Sequence, residues 1–333
     1  MEKHTGKFIV SLDFELMWGV RDAVTVKDYG ENIRCVHQVL PDILDYFKKY
    51  GICGTFAAVG LLFFNTKEDL LNNLPERKPM YKDPNLSPYG SYIEENVGYD
   101  SNSDPYHFAP HLIELIKNTP NQEIGTHTFS HFYCLEEGQT LEDFTHDLKA
   151  AIDLANKRGI VITSIIFPRN QTNNNYLEVC NNMGITNYRS NENSWIYSAQ
   201  TMGNESLLKR FFRLSDAYFN ISGHHCYADE YMWNSPIVNI PSSRFLRPYS
   251  PRLKLLEGLR LRRIKNSMTH AAKNGLLYHL WWHPHNFGAN HEQNFSFLKK
   301  ILEHYTFLNK KYGFTSYTMS DMAKLLLKGK RED

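Results

Sequence analysis

The sequence predicts an α/β fold, one decorated barrel in which parallel strands alternate with helices. Short apolar runs rich in β-branched and aromatic residues recur along the chain, and amphipathic helical stripes separate them at βαβ spacing. Carboxylates, imidazoles and a guanidinium follow several of these runs, and the loops after the strands of a parallel barrel meet on one rim.

Phe8 to Asp13 reads as a buried strand ending on a carboxylate. Asn32 to Tyr50 carries Val36, Val39, Leu40, Ile43, Leu44 and Phe47 on one helical face, and Gly51 ends it. Ile52 to Val59 is the second strand, which makes the sheet at least partly parallel. Residues 65–106 are rich in Pro, Asn, Asp and Tyr and form an irregular insert, the kind of segment that serves as a lid or binding loop. Regularity resumes with a helical Ile113–Lys117, a strand Glu123–Gly125, and a helix Leu141–Arg158 capped by Thr140. A strand Ile160–Phe167 and a helix Tyr176–Met183 follow. A second irregular insert spans 190–250, and both inserts are expected over the rim. The chain then reads helix 252–273, strand 276–282, helix 293–312, strand 314–317 and helix 320–327. No repeat or linker divides it, so residues 1–333 are expected to form a single domain.

With 333 residues, 42% apolar and 22% charged, the composition is that of a globular protein with a sizeable core. The formal charge of +1 lacks the basic excess that phosphate backbones demand, which argues against nucleic acid as a partner. Five widely spaced cysteines form neither a Cys-x-x-Cys pair nor a disulfide framework. The first residues carry no apolar signal core, and the longest apolar stretch, Gly54 to Phe64, is too short to span a bilayer. A cytoplasmic protein is the expectation; its oligomeric state is left open.

Four segments bring chemistry to the rim: Asp13 and Glu15 after the first strand, His127 and His131 after the third, Arg169 after the fourth, and His283 after the strand 276–282. Two imidazoles four residues apart with one carboxylate suit Zn²⁺ or a similar divalent ion and leave positions open. Among 15 histidines, spacing alone leaves a polar-cap or core pair as the alternative, since His279 and His283 also stand four apart. His224 and His225 read as a solvated or hydrogen-bonded pair.

The residues around these positions resemble the polysaccharide deacetylase family. Ser-Leu-Asp13-Phe-Glu15 looks like its first motif in an acid-x-acid form, and Gly51-Ile-Cys-Gly-Thr55-Phe56 is similar to its second strand. Thr-His127-Thr-Phe-Ser-His131 matches its His-[Ser/Thr]-x-x-His motif, and Trp-Trp-His283-Pro284 resembles the late motif that bears a catalytic histidine. The resemblance implies a distorted (β/α) barrel of about seven strands and a metal-dependent hydrolase that removes N-acetyl groups from an amino sugar. It implies Asp13 as general base and His283 as general acid, with His279 and His285 as alternatives. Glu15, His127 and His131 would be ligands of a divalent metal, Zn²⁺ first, then Co²⁺, Fe²⁺ or Ni²⁺.

Two departures matter. The acid pair is Asp13-Phe14-Glu15, where most of the family has adjacent acids, so which of the two is the ligand stays open. The usual Arg-x-Pro segment reads Phe-Pro168-Arg169-Asn170; Arg169 would orient Asp13 through a bidentate contact, and the backbone N–H of Asn170 would face the substrate carbonyl. Trp195 and Trp233, in the second insert, are the candidates for stacking on sugar faces. The implied partner is an N-acetylated sugar or glycan, as a polysaccharide or glycolipid precursor. A related C–N hydrolase acting on a non-sugar amide such as allantoin, and a non-catalytic glycan-binding homologue, are the rival readings.

Overall fold

The computed structural model describes residues 5–199, 206–233 and 235–332. Its centre is a nine-stranded, wholly parallel sheet: β1 (Lys7–Phe14), β2 (Gly54–Ala58), β3 (Gln122–Thr126), β4 (Ser164–Ile165), β5 (Asn187–Tyr188), β6 (Val238–Asn239), β7 (Arg244–Phe245), β8 (Leu277–Trp282) and β9 (Thr315–Tyr317). The hydrogen-bonded order is β6-β5-β4-β3-β2-β1-β8-β7, and β9 pairs with the first half of β1. This is the distorted barrel that the sequence predicts, with more strands because the second insert contributes β6 and β7.

Residues 238–246 form one extended run that closes the wall. Val238, Ile240 and Ser242 donate their N–H groups to the carbonyls of Thr186, Tyr188 and Ser190 at 2.8–2.9 Å. Ser243 and Leu246 donate to His279 and Trp281 at 2.8 and 2.7 Å. The run therefore joins β5 on one side to β8 on the other.

Alternation along β1 sets inside from outside. Phe8, Val10, Leu12 and Phe14 point outward into the apolar layer shared with the helices, while Ile9, Ser11 and Asp13 point inward. Register carries this to β8, where Ile9 pairs with His279 and Ser11 with Trp281, so His279, Trp281 and then His283 face inward too. Helix Val36–Tyr50 covers the outer face with its predicted stripe and ends on Gly51 at φ 65°, a left-handed cap. The expected helix from Asn32 is broken at Cys35, where it meets a separate helix, Val26–Arg34. The fourth strand is shorter than Ile160–Phe167: only Ser164 and Ile165 are in the ladder.

The first insert borders one end of the barrel, and part of the second borders the other. Residues 65–106 hold helices Lys67–Asn72 and Ser91–Asn96 and pack on the loops that leave β1 and β3. The Met17 N–H donates to the Tyr106 carbonyl at 3.0 Å, and the Tyr133 N–H donates to Tyr81 Oη at 2.9 Å. This insert borders the carboxyl-terminal rim. In the second insert, Tyr227 bridges to Leu277, the first residue of β8, and Asp229 pairs with Lys7, the first residue of β1, at 2.7 Å. Residues 227–233 thus sit at the amino-terminal mouth, and the expectation that both inserts cover the rim is corrected for this part. Among the described residues, no helix is long and apolar enough to cross a membrane.

Candidate active site

Asp13 is the last inward residue of β1, and Glu15 follows at the start of a 3-10 turn, Leu16–Gly19. Both are buried. That turn needs Gly19, because a Cβ there would land on the Glu15 carboxylate.

After β3 the chain doubles back in a loop with Thr128 and His131 in the left-handed region, at φ 65° and 62°. Asp147, from helix Leu141–Lys157, anchors the loop by accepting from the N–H groups of Phe129 and Ser130 at 2.7 and 3.2 Å. Thr128 Oγ1 accepts from the Phe132 N–H at 2.7 Å. The result places the His127 and His131 rings 5.0 Å apart, both facing Glu15.

Glu15 Oε2 lies 3.3 Å from His127 Nε2 and 3.2 Å from His131 Nε2. The Ile166 carbonyl lies 2.8 Å from His127 Nδ1, so Nδ1 carries the proton and the Nε2 lone pair points at the carboxylate. Burial depresses the His131 pKa to about 4, despite the opposing Glu15 carboxylate. Burial alone would raise Glu15, but its neighbours His283, His127 and His131 together hold it well below the usual carboxylate range. The Glu15 carboxylate facing two Nε2 lone pairs is an arrangement of acceptors only, and a cation among them satisfies all three. One atom from each of these residues lies within 4.8 Å of the others, which fits a divalent ion with two nitrogen ligands and one oxygen.

His283 follows β8 and caps the turn Pro284–Phe287, with Nδ1 3.3 Å from Asn286 Oδ1. Its Nε2 faces the acids, 3.7 Å from Asp13 and 3.6 Å from Glu15. Arg189, just past β5, holds Asp13 from the other side: Nη1 and Nη2 donate to Oδ1 and Oδ2, each at 2.7 Å. Its guanidinium also lies 4.1 Å over the Trp281 ring and donates to Ser11 Oγ at 3.0 Å and Asn170 Oδ1 at 2.8 Å. Burial would raise the Asp13 pKa; Arg189, with His127 and His283 beside it, outweighs burial, and the carboxyl is held below its ordinary value.

The sequence profile described as Polysaccharide deacetylase matches residues 7–188, more than half of the chain. The chain belongs to the polysaccharide deacetylase family. Membership implies a hydrolase acting on N-acetyl amide bonds. The fold is similar to that of a Mycobacterium smegmatis protein assigned as a polysaccharide deacetylase, with TM-score 0.61, 12% identity, and 99% of this chain and 92% of that one covered. A Pseudomonas aeruginosa PAO1 protein assigned to the same class aligns with TM-score 0.52 at 10% identity, over 96% and 89%. The α-amylase AmyC from Thermotoga maritima aligns with TM-score 0.54 at 11% identity, over 96% and 74%. No curated protein sequence matches the chain.

Asp13, Glu15, His127, His131 and His283 converge in this deacetylase-family barrel. Arg169 does not reach Asp13, and the expected bidentate contact is made by Arg189. Arg169 and Asn170 both adopt left-handed backbone, at φ 53° and 51°, which turns the Arg169 side chain toward Asp22 and over the Tyr133 ring at 4.3 Å. The Asn170 N–H is not free for a substrate oxygen, because it donates to the Phe167 carbonyl at 2.9 Å; the Asn170 side chain supports Arg189 instead. Trp233 lies in the turn Asp229–Trp233 at the amino-terminal mouth, away from the rim. Trp195 packs edge-on against Phe212, while its neighbour Tyr197 joins Asp216 and Arg244. Arg244 pairs with the outward Leu280, so this group lies on the outer wall rather than the rim. Aromatic rings beside the site include Trp281 and Phe245, 5.7 and 5.9 Å from His283, and the buried Tyr133, 5.1 Å from His131.

His279 and His285 are poor alternatives to His283. Both are fully buried, and burial pushes each pKa down to about 3. His279 Nε2 is bound to Ser11 Oγ at 2.8 Å.

Proposed function

We propose that the chain is a metal-dependent deacetylase that cleaves the acetamide of an N-acetylated amino sugar. Glu15, His127 and His131 hold the ion, Asp13 is the general base and His283 the general acid. The observation that carries this reading is the meeting of three acceptors at one point, with a second carboxylate and a half-buried imidazole beside them. A bound divalent ion, Zn²⁺ by preference for two nitrogens and one oxygen, polarises the acetamide carbonyl and lowers the pKa of water.

The chain's own groups supply the proton transfers. Asp13, held ionised by Arg189, takes the proton of the attacking water on its Oδ2 face toward His283. The fork from Arg189 fixes that carboxylate in plane, so the base presents one orientation. His283 Nε2 donates to the departing nitrogen, which is a poor leaving group without a proton. Asn286 at Nδ1 steadies the ring. Phe245, half-buried beside His283, gives the site an apolar wall suited to the C–H face of a sugar. The substrate is an N-acetyl sugar unit of a polysaccharide or glycolipid precursor.

The test is elemental analysis of protein purified without added metal, beside acetate release from a panel of N-acetylated sugars and glycolipids. About one ion per chain and acetate release lost on chelation are expected. Release that survives metal removal overturns the ligand assignment. Turnover of a non-sugar amide in place of every N-acetyl sugar overturns the substrate.

A further inference from the structure

Ser11 and His279 face the barrel interior from β1 and β8, and both are fully buried. Two such polar side chains cost free energy unless their donors and acceptors meet. Their partners fix where the hydrogens sit. The Ile240 carbonyl lies 3.3 Å from His279 Nδ1 and can only accept, so Nδ1 carries the ring hydrogen. Burial, then the Arg189 charge, pushes the ring's pKa down to about 3, so it holds one hydrogen and Nε2 is a bare acceptor. Ser11 Oγ, 2.8 Å away, therefore donates to Nε2 and keeps its lone pairs for Arg189 Nη1, which donates to it at 3.0 Å. With Asp13 and Asn170 as the other acceptors, all five N–H bonds of the guanidinium are then satisfied.

The chain of contacts closes on itself. His279 is clamped to the run 238–246, its N–H donating to Ser243 Oγ at 2.9 Å and its carbonyl accepting from the Ser243 N–H at 2.8 Å. Ile240, in the same run, donates its N–H to the Tyr188 carbonyl at 2.8 Å, and Tyr188 directly precedes Arg189. β5 and β1 are not neighbours in the ladder, so the path from Arg189 through Ser11 and His279 to Ile240 ties them across the barrel interior.

We propose that Ser11 and His279 are positioning residues for Asp13: the imidazole turns the Ser11 hydroxyl hydrogen away from Arg189, and the serine oxygen so presented holds Nη1 in the plane of the carboxylate. Hydrogen bonds in such a buried chain polarise one another, so losing the last member loosens the first. The assignment rests on Asp13 being the base of the proposed deacetylation. His279 acts only through Ser11 and Arg189, which distinguishes it from a residue that merely fills the barrel.

Hydrolysis of para-nitrophenyl acetate by the full chain supplied with Zn²⁺, beside NMR of protein with isotope-labelled histidine and arginine, tests the proposal. Ser11→Ala strands one donor of a buried cation and should lower kcat by about tenfold or more, with KM near that of the parent. His279→Leu removes only the acceptor behind the hydroxyl and should lower kcat by about three- to tenfold. His279→Gln, which keeps an acceptor near the position of Nε2, should recover most of that loss. Ser11→Ala/His279→Leu should be no slower than Ser11→Ala, and in Arg189→Lys the His279→Leu loss should vanish, because each residue acts through the next. Losses that multiply in these combinations, or glutamine no better than leucine, overturn the proposal. If His279→Leu does not fold, Ser11→Ala alone and in Arg189→Lys decides by the same rule. The spectra carry the test without turnover: His279 should be a neutral ring protonated at Nδ1, and the Arg189 N–H signals should shift in Ser11→Ala and in His279→Leu. A ring protonated at Nε2, or Arg189 signals that neither variant moves, overturns the proposal. A parent that leaves the ester intact while the spectra are as expected supports the hydrogen-bond chain and counts against the deacetylase reading.

Discussion

Arg189 grips both carboxylate oxygens of Asp13 at 2.7 Å while its own plane rests on Trp281, so that carboxylate is fixed by a residue 176 positions away. Lysine cannot reproduce that fork. Arg189→Lys should lower kcat by about 10–100-fold, the usual effect of losing the partner that orients a reacting group, with metal content unchanged. Arg169→Ala, which removes an ion pair to Asp22, should have a far smaller effect. Steady-state kinetics with metal analysis on both variants checks this, and the reverse ranking would return the role to Arg169.

The two acids are separable. Asp13→Asn keeps the volume but cannot accept a proton, so turnover should collapse with metal occupancy near that of the parent. Glu15→Gln leaves a neutral oxygen facing two imidazoles, so metal affinity should fall first and excess metal should restore part of the activity. Occupancy measured beside turnover decides the assignment. An empty site in Asp13→Asn and a full one in Glu15→Gln would reverse the roles.

His283→Ala should slow amide turnover by about two to four orders of magnitude, the scale of general acid assistance. An activated acetate ester needs no proton on its leaving group, so its hydrolysis should suffer much less. Equal losses on both substrates would show that the ring serves packing against Phe245 and His285.

Asp216 governs an acid-labile part of the fold. Burial would raise its pKa, but Arg244, the Ser222 N–H and Tyr197 hold it well below the usual carboxylate range. A depressed folded pKa contributes stability above the unfolded value near 4 and loses it as pH falls through the folded one. Asp216→Asn leaves Arg244 buried without its counter-charge and should cost about 3–5 kcal/mol near neutral pH. Its denaturant midpoint should then depend less on pH in the acid range than the parent's. Parallel pH dependences would refute the assignment.

The long ladders were legible in the sequence because they bury both faces: Phe8 to Asp13 and Leu276 to Trp282 read as strands and are strands. The acids and histidines were legible because they follow those strands at fixed spacing. Arg189 was not, since it follows β5, a two-residue ladder with no apolar run to announce it. A strand signal there would have been the step from the Gly184 turn to Ile185-Thr-Asn-Tyr188, with a cation at its end. Trp195 and Trp233 misled for the opposite reason. Composition marks an aromatic insert, but not which mouth of the barrel it covers; that depends on long-range pairs such as Lys7 with Asp229.

The run 238–246 that joins β5 to β8 gives the barrel two unequal halves. β1, β2, β3 and β8 carry ladders of five to eight residues, whereas β4 to β7 carry two each. Asp13, Glu15, His127, His131 and His283 all spring from the stiff half, whereas Arg189, its support Asn170 and Phe245 come from the thin one. Strain imposed at the mouth should therefore be absorbed where few backbone bonds resist it. Glu15, His127 and His131 should keep their arrangement under such a load, and what yields is the grip on Asp13. Amide exchange in the thin staves should accordingly quicken before that of β1 or β8, and in the proposed reaction proton abstraction by Asp13 would be the step that senses how substrate is seated.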